Sequence, residues 1–103
     1  MVLIISSVVR SCDTNEQGDV VRLEIIKHLS KNEKVTLDFS GVTNVTSSFV
    51  NSALISLMPQ YDVRTIKARI QVTRANRQIG TMINDRFRSE QRLRSSYEAS
   101  AIS

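Results

Sequence analysis

The sequence is poor in the residue types that most catalytic and metal-binding motifs require. Its 103 residues include one cysteine, one histidine, one proline, three glycines and no tryptophan. A single cysteine excludes an intramolecular disulfide and a cysteine-cluster metal site, and it fits the reducing cytoplasm in which we expect the protein. The three glycines form no glycine-rich phosphate loop. We therefore expect no cofactor, no metal and no enzymatic activity.

Long hydrophobic runs are also missing. The run over Val2–Ile5 is far shorter than the roughly 20 apolar residues of a membrane span, so we expect a soluble protein. Hydrophobic residues make up 41% of the chain and aromatic residues 5%, which predicts an aliphatic core. A chain of this length is expected to form one domain over residues 1–103, with a helix extension and a frayed tail over about 88–103.

Alternating hydrophobic patterns predict a small α/β domain with the element order β-α-β-α-β-α and a mostly parallel or mixed sheet packed by helices. The predicted strands cover residues 2–9, 35–39 and 66–73, and the predicted helices cover about 19–30, 46–58 and 74–97. Thr14 or Asp13 is a candidate cap for an earlier start of the first helix, although Gly18 favours a start at Asp19. Residues 42–45 are a candidate fourth strand. The continuous apolar run at 2–9 favours a first strand that is covered on both faces.

The central stretch over residues 35–58 is the most informative part of the chain. A strand rich in β-branched and aromatic residues leads through the turn at Gly41 to a helix for which Thr46 is a candidate cap. Asp38 is expected near the carboxyl end of this strand, where sites of open α/β sheets collect. Ser47 and Ser48 are expected in the first helical turn, where they either serve the helix start alone or belong to a functional surface.

The sequence motif at this stretch resembles the STAS superfamily, named after sulfate transporters and anti-sigma factor antagonists. Leu-Asp-Phe-Ser-Gly-Val at 37–42 is followed by Val-Thr-Ser-Ser-Phe-Val-Asn-Ser-Ala-Leu at 45–54. The motif looks closest to a bacterial STAS-like family of unknown function, whose short members pair Leu-Asp-Phe-x-Gly-Val with a Ser-Ser-Phe helix start. The resemblance extends from Val2 to about Phe87.

This resemblance implies a non-enzymatic regulatory module that binds another protein. In anti-sigma factor antagonists the partner is a histidine-kinase-like ATPase, so an ATPase of this kind or a sigma-type regulator is the implied partner here. The implied docking residues are Asp38, Ser40, Thr46, Ser47, Ser48, Phe49 and Asn51. Ser47 matches the serine that is phosphorylated in the antagonists and is a candidate phosphosite. However, Thr46 and Phe49 replace the antagonists' Asp and Gly, which favours a docking role for Ser47 over a phosphoswitch.

The distribution of charge supports nucleic-acid binding as the alternative function. Residues 64–94 carry nine basic and two acidic side chains, within a chain of net charge +4. The candidate contacts, assigned to the outward face of the third strand and to the last helix, are Lys67, Arg69, Arg74, Arg77, Arg86, Arg88, Arg92 and Arg94. A solvated surface explains the same charges without a ligand.

Two further predictions concern catalysis and self-association. An enzyme would need His28, Cys12 and Asp38 to converge, and no nucleophile–histidine–acid spacing is present. The pair Leu93 and Tyr97 lies off the apolar stripe of the last helix, and together with the one-sided third strand it suggests a homodimer.

Overall fold

The computed structural model describes the backbone of residues 1–102 and the side chains of residues 1–94. Within these residues, a parallel sheet is formed by the strands β1 (Val2–Ile4), β2 (Val35–Asp38) and β3 (Ile70–Thr73), in the spatial order β1-β2-β3. The helical elements are α1 (Ile5–Val8), α2 (Asn15–Leu29), α3 (Ser47–Ala53), a 3₁₀ turn (Ile55–Leu57), α4 (Val63–Arg69) and α5 (Arg77–Ile102). The predicted small α/β fold with a parallel sheet is confirmed.

The helices cover one face of the sheet. Leu3 of β1 and Leu37 of β2 are neighbours across the sheet and are buried in the core that α2 and α3 share. On the opposite face, Val2 is 56% exposed and Ile4 is 44% exposed. The expectation that the first strand is covered on both faces is therefore wrong.

The first predicted strand is also too long. The chain leaves the sheet after Ile4 and forms the single helical turn α1, in which the Val9 amide donates to the Ile5 carbonyl. This turn buries Ile5 completely while Ser6 and Ser7 stay exposed. The apolar run thus serves two different elements.

The third predicted strand contains a helix in its first half. Residues 66–69 belong to α4, and only Ile70–Thr73 pair with β2. The side chain of Asp62 caps α4 by accepting a hydrogen bond from the Thr65 amide at 2.7 Å. Ile66 and Ile70 are four residues apart and both buried. Their spacing is therefore compatible with a helix that leads directly into a strand, as well as with one continuous strand.

Helix α2 begins at Asn15, four residues earlier than Gly18 alone suggested. The Thr14 side chain accepts from the Gln17 amide, and the Gln17 side chain accepts from the Thr14 amide, which is a complete capping box. Gly18 is tolerated inside the helix because α3 lies against it. A Cβ atom at Gly18 would lie 2.7 Å from the Phe49 carbonyl oxygen.

The second predicted helix is shorter in the structure, and the candidate fourth strand is absent from the described residues. Helix α3 ends at Ala53. The 3₁₀ turn that follows buries Leu57, and Met58 directly after the turn is also buried. Residues 42–45 form a loop rather than a fourth strand.

Helix α5 begins at Arg77 rather than Arg74, because Arg74 has a left-handed backbone with φ 55°. The side chain of Asn76 accepts a hydrogen bond from the Ile79 amide at the start of this helix. The expected extension beyond residue 88 is helical through Ile102. Leu93 is 64% exposed, whereas the Tyr97 side chain lies outside the described residues, so self-association stays a prediction. None of the helices in the described residues has the length and apolar character needed to cross a membrane.

Candidate functional site at the carboxyl edge of the sheet

The three parallel strands end at one edge of the sheet, here called the carboxyl edge. The loops over residues 9–14, 39–46 and 74–76 meet there, together with the first turns of α2, α3 and α5. Ligands of open parallel sheets bind at this edge because loops from separate strands converge on it. A recess of about 140 Å³ lies between the first two of these loops.

Asp38 and Ser40 are joined to Arg74 in a short hydrogen-bonded chain at the ends of β2 and β3. The hydroxyl and the backbone amide of Ser40 both donate to Asp38 Oδ1. Arg74 Nη1 donates to the Ser40 hydroxyl at 3.4 Å. These two bonds from Ser40 hold the pKa of the Asp38 carboxyl below its ordinary value. Desolvation opposes them in part, and the charge of Arg74 has the smallest effect, which lowers the pKa further. The left-handed backbone of Arg74 places a strained residue at this edge.

We expect Ser40→Ala to raise the pKa of Asp38 toward its ordinary value of 3.8, because the substitution removes the hydroxyl bond and keeps the backbone bond. NMR titration of the carboxyl carbon of Asp38 measures this change. Since folding lowers this pKa, the hydrogen bonds contribute their full stability above the ordinary pKa, and that contribution is lost as the pH falls through the lower, folded value. We expect a smaller rise in Arg74→Ala. An unchanged pKa in Ser40→Ala would show that the hydroxyl bond has no effect.

The loop before α3 is fixed by residues from two other parts of the chain. The Gln78 side chain accepts from the Val45 amide and donates to the Val45 carbonyl, both at 2.9 Å. Asn76 Nδ2 donates to the Thr43 carbonyl at 2.7 Å. On the other side, the Thr46 hydroxyl donates to the Asp13 carbonyl at 2.8 Å. The start of α3 is therefore held from both sides.

The first turn of α3 presents hydroxyl groups to solvent. Ser47 and Ser48 are exposed. Thr46 caps the helix by accepting from the Phe49 amide, as predicted from the sequence. One turn further, Asn51 accepts a hydrogen bond from Arg86 Nε at 2.7 Å.

Two of the predicted docking residues have a structural role instead of an exposed surface. Phe49 is 2% exposed and packs in the core, so its assignment as a partner contact is wrong. The bulk of its ring and the apolar position after two exposed serines explain the burial. Thr46 is only partly accessible, and its side chain is used by the helix cap and by Asp13. The name docking surface is used below for the other five predicted residues, the exposed Ser47 and Ser48 and the half-buried Asp38, Ser40 and Asn51. That they contact a partner stays a prediction.

A model of a protein family described as a STAS-like domain of unknown function (DUF4325) matches residues 17–79. The match includes most of α2, all of β2, α3, α4 and β3, and the first residues of α5, which is more than half of the chain. The chain belongs to this family. The comparisons with curated proteins and with solved structures gave no match. The resemblance that the central motif indicated is thus confirmed at the level of the STAS-like domain.

The other candidate catalytic residues of this STAS-like domain, Cys12 and His28, make no hydrogen bond with Asp38 in the described residues. Cys12 is 2% exposed, and burial, with a smaller effect of the Asp13 charge, raises the pKa of its thiol to about 11. A thiol of this kind is protonated and unreactive at neutral pH. His28 lies near the end of α2, where its Nδ1 is 3.4 Å from Glu33 Oε1. The absence of enzymatic activity stays a prediction.

The basic residues of the alternative function are spread over several surfaces of the STAS-like domain. Lys67 and Arg69 lie on α4, so their assignment to a strand face is wrong. Arg74 contacts Ser40 and Arg86 contacts Asn51, whereas Arg94 pairs with Glu90 at 3.3 Å. Arg77 and Arg94 are separated by about 25 Å along α5, at 1.5 Å per residue. Arg88 and Arg92 are exposed on the same helix. Nucleic-acid binding remains a prediction.

Sequence reasoning missed the residues that position the docking surface from outside the motif. Gln78, Asn76 and Arg86 contact residues 33 to 35 positions away in the chain. The Asn76 cap had a local signal, because an asparagine three residues before the buried Ile79 is typical of a helix start. The contacts that Gln78 and Arg86 make depend on the tertiary fold and leave no signal in the sequence.

Proposed function

We propose that this STAS-like domain is a non-enzymatic regulatory module that binds another protein through the docking surface. The observation that carries the proposal is the rigid support beneath the exposed hydroxyls of Ser47 and Ser48. Gln78 and Thr46 fix the preceding loop from both sides. A surface that is ordered before binding loses little conformational entropy when a partner docks.

The resemblance to anti-sigma factor antagonists supports the choice of partner. In those proteins the corresponding helix start meets a histidine-kinase-like ATPase, and we propose a partner of that class or a sigma-type regulator. The exposed Ser47 is accessible to a kinase. A phosphate on it would add about two negative charges beside the partner and weaken docking to an acidic surface, which makes phosphorylation a secondary proposal.

We expect Ser48→Arg to abolish capture of a specific partner, because a long cation replaces a small exposed hydroxyl in the first turn of α3. Affinity capture from the native host, quantified by mass spectrometry, measures the loss, and we expect at least tenfold. Ser47→Asp is expected to reduce the captured amount of the same partner protein.

The matched control is Thr81→Arg, which places the same cation at an exposed position of α5 away from the docking surface. Circular dichroism establishes that each variant is folded. The proposal requires one captured protein that is lost in the Ser48 and Ser47 variants and retained in the Thr81 variant. Retention of every captured protein in all three variants would contradict it, and capture of an ATPase or sigma-type regulator would support the narrower choice of partner.

A further inference from the structure

A groove lies beside the free edge of β3, and none of its lining residues belongs to the docking surface. It is bounded by α4 on one side and by the middle of α5 on the other, and its volume is about 330 Å³. The floor of the groove is aliphatic and aromatic and consists of Leu54, Ile66, Ile70, Val72, Ile83 and Phe87. Val72 is 39% exposed although its neighbours across the sheet, Leu37 and Leu3, are buried. The helix-covered face of the sheet is therefore incompletely covered at β3.

The remaining residues that line the groove are polar and carry charge of one sign. Lys67 projects from α4 and Arg88 from α5, and the amides of Asn84 and Gln91 complete the lining. No acidic residue is among the ten lining residues. An apolar floor beside two cations is complementary to a ligand that has an aliphatic part and an anionic group.

We propose that this groove binds a single-chain aliphatic carboxylate, with its tail on the apolar floor and its carboxylate at Lys67 and Arg88. Lys67 offers three N–H donors and Arg88 five, all suited to carboxylate oxygens. The site shares no residue with the docking surface, so the inference does not depend on the proposed function.

Two other occupants fit the groove less well. A second copy of the chain would bring a second pair of cations to the same place, and like charges repel across an interface. An added peptide strand would need unpaired backbone groups along β3. The Thr73 carbonyl accepts a hydrogen bond from the amide of Phe39, the residue directly after β2. Because backbone groups alternate in direction along a strand, those of Ile70 and Val72 point to the free edge. The Ile70 amide, however, already donates to the Ile66 carbonyl. Few backbone groups therefore remain for a strand.

The size of the groove limits the length of the tail. A water-sized group occupies about 30 Å³ in a liquid, so the groove holds on the order of ten such groups. A carboxylate with about eight to ten carbons fills this space. Burying one methylene completely strengthens binding about fourfold. The groove is open along one side, so we expect about twofold to fourfold per methylene.

The experiment is a titration of methyl-labelled protein with sodium hexanoate, octanoate, decanoate and dodecanoate, each below its micelle-forming concentration. We expect the NMR signals of the Leu54, Val72 and Ile83 methyls to shift, while those of the exposed Leu23 on α2 do not. The affinity should rise about fourfold to fifteenfold for each two carbons up to decanoate. It should rise less than fourfold from decanoate to dodecanoate, because the added carbons remain in water.

Two comparisons test the role of the cations. Decyltrimethylammonium has an alkyl tail one carbon longer and the opposite charge, and it is expected to bind at least tenfold more weakly than decanoate. The double variant Lys67→Glu/Arg88→Glu should lose about tenfold in decanoate affinity, whereas Lys31→Glu/Arg77→Glu, which changes the net charge equally at exposed positions, should not. Equal binding of the two amphiphiles, equal affinities of the two variants, or shifts that are independent of chain length would each overturn the proposal.

Discussion

Gly18→Ala is expected to destabilise the protein by about 2–3 kcal/mol, because the added methyl has no space between α2 and α3. Its Cβ would lie 2.7 Å from the Phe49 carbonyl oxygen, 2.7 Å from Ser52 Cβ and 3.1 Å from the Ala53 nitrogen. Two of these atoms belong to the backbone of α3, so rotation of a side chain cannot relieve the contact. The two helices would have to separate.

Gly80→Ala is the matched control and has the opposite expected sign. Gly80 lies inside α5, and a Cβ there would meet no atom within 4 Å apart from its chain neighbours and the backbone of its own helix. The alanine lowers the entropy of the unfolded chain and favours the helix, so we expect a gain of about 0.4–1 kcal/mol. Urea unfolding followed by circular dichroism at 222 nm measures both changes. Equal stabilities for the two variants would show that the approach of α2 to α3 is looser than the structure indicates.

The close contact between α2 and α3 also positions part of the docking surface. Asn15 Oδ1 accepts a hydrogen bond from the Ser52 hydroxyl at 3.1 Å, directly beside the position of Gly18. Helix α3 has seven residues, too few to be stable without tertiary contacts. Separation of the helices in Gly18→Ala would therefore disturb Ser47 and Ser48 as well as the core.

The parts of the fold that were predictable from the sequence have local causes. The alternation of Val35, Leu37 and Phe39 with polar residues defines β2, because a strand directs successive side chains to opposite faces. Thr46 caps α3, and the flanking Val45 and Val50 are both buried, as the spacing of a hydrophobic staple predicts. These signals lie within a few residues of the elements they specify.

The errors arose where two elements fit one pattern. Ile66, Ala68, Ile70 and Val72 alternate as in a strand, but Ile66 and Ile70 also have helical spacing. The Asp62 cap decides between them for residues 63–69. Burial on one face of β1 could not be read from its apolar run, because coverage of a sheet depends on where the helices pack.

The docking surface was predictable only in part for the same reason. Its exposed hydroxyls belong to the motif, whereas most of its supports come from the loop before α5 and from the first turn of that helix. Arg74, Asn76 and Gln78 are more than 30 residues from the groups that they contact. A single sequence contains no local pattern for such contacts.

Gln78→Ala is the second substitution with a large expected effect, a loss of about 1–3 kcal/mol. Its side-chain amide pairs with both backbone groups of Val45, in the way that a neighbouring strand would. The substitution removes both bonds from a loop whose Val45 side chain is 2% exposed. The matched control is Gln91→Ala on the same helix, at an exposed position, for which we expect a change below about 0.5 kcal/mol.

Gln78→Glu separates the two hydrogen bonds. The introduced carboxylate still accepts from the Val45 amide, but its second oxygen repels the Val45 carbonyl, whereas the protonated form can donate to that carbonyl. The pKa of the introduced Glu carboxyl is therefore raised on folding above the ordinary glutamate value of about 4.3. The bond to the carbonyl is present below the ordinary pKa and is lost as the pH rises through the higher, folded value. The stability deficit relative to wild type should thus shrink from pH 7 to pH 4.

Hydrogen exchange of the amides at residues 43–48 tests whether the loss of stability in Gln78→Ala affects the docking surface. We expect faster exchange at Val45 and Ser47 in Gln78→Ala, because Val45 directly precedes the residue that caps α3. We expect unchanged exchange in Gln91→Ala. Unchanged exchange in both variants would mean that Asn76 and Thr46 fix the loop without Gln78. Faster exchange together with weaker partner capture would show that α5, through Gln78, orders the helix start that the proposed partner meets.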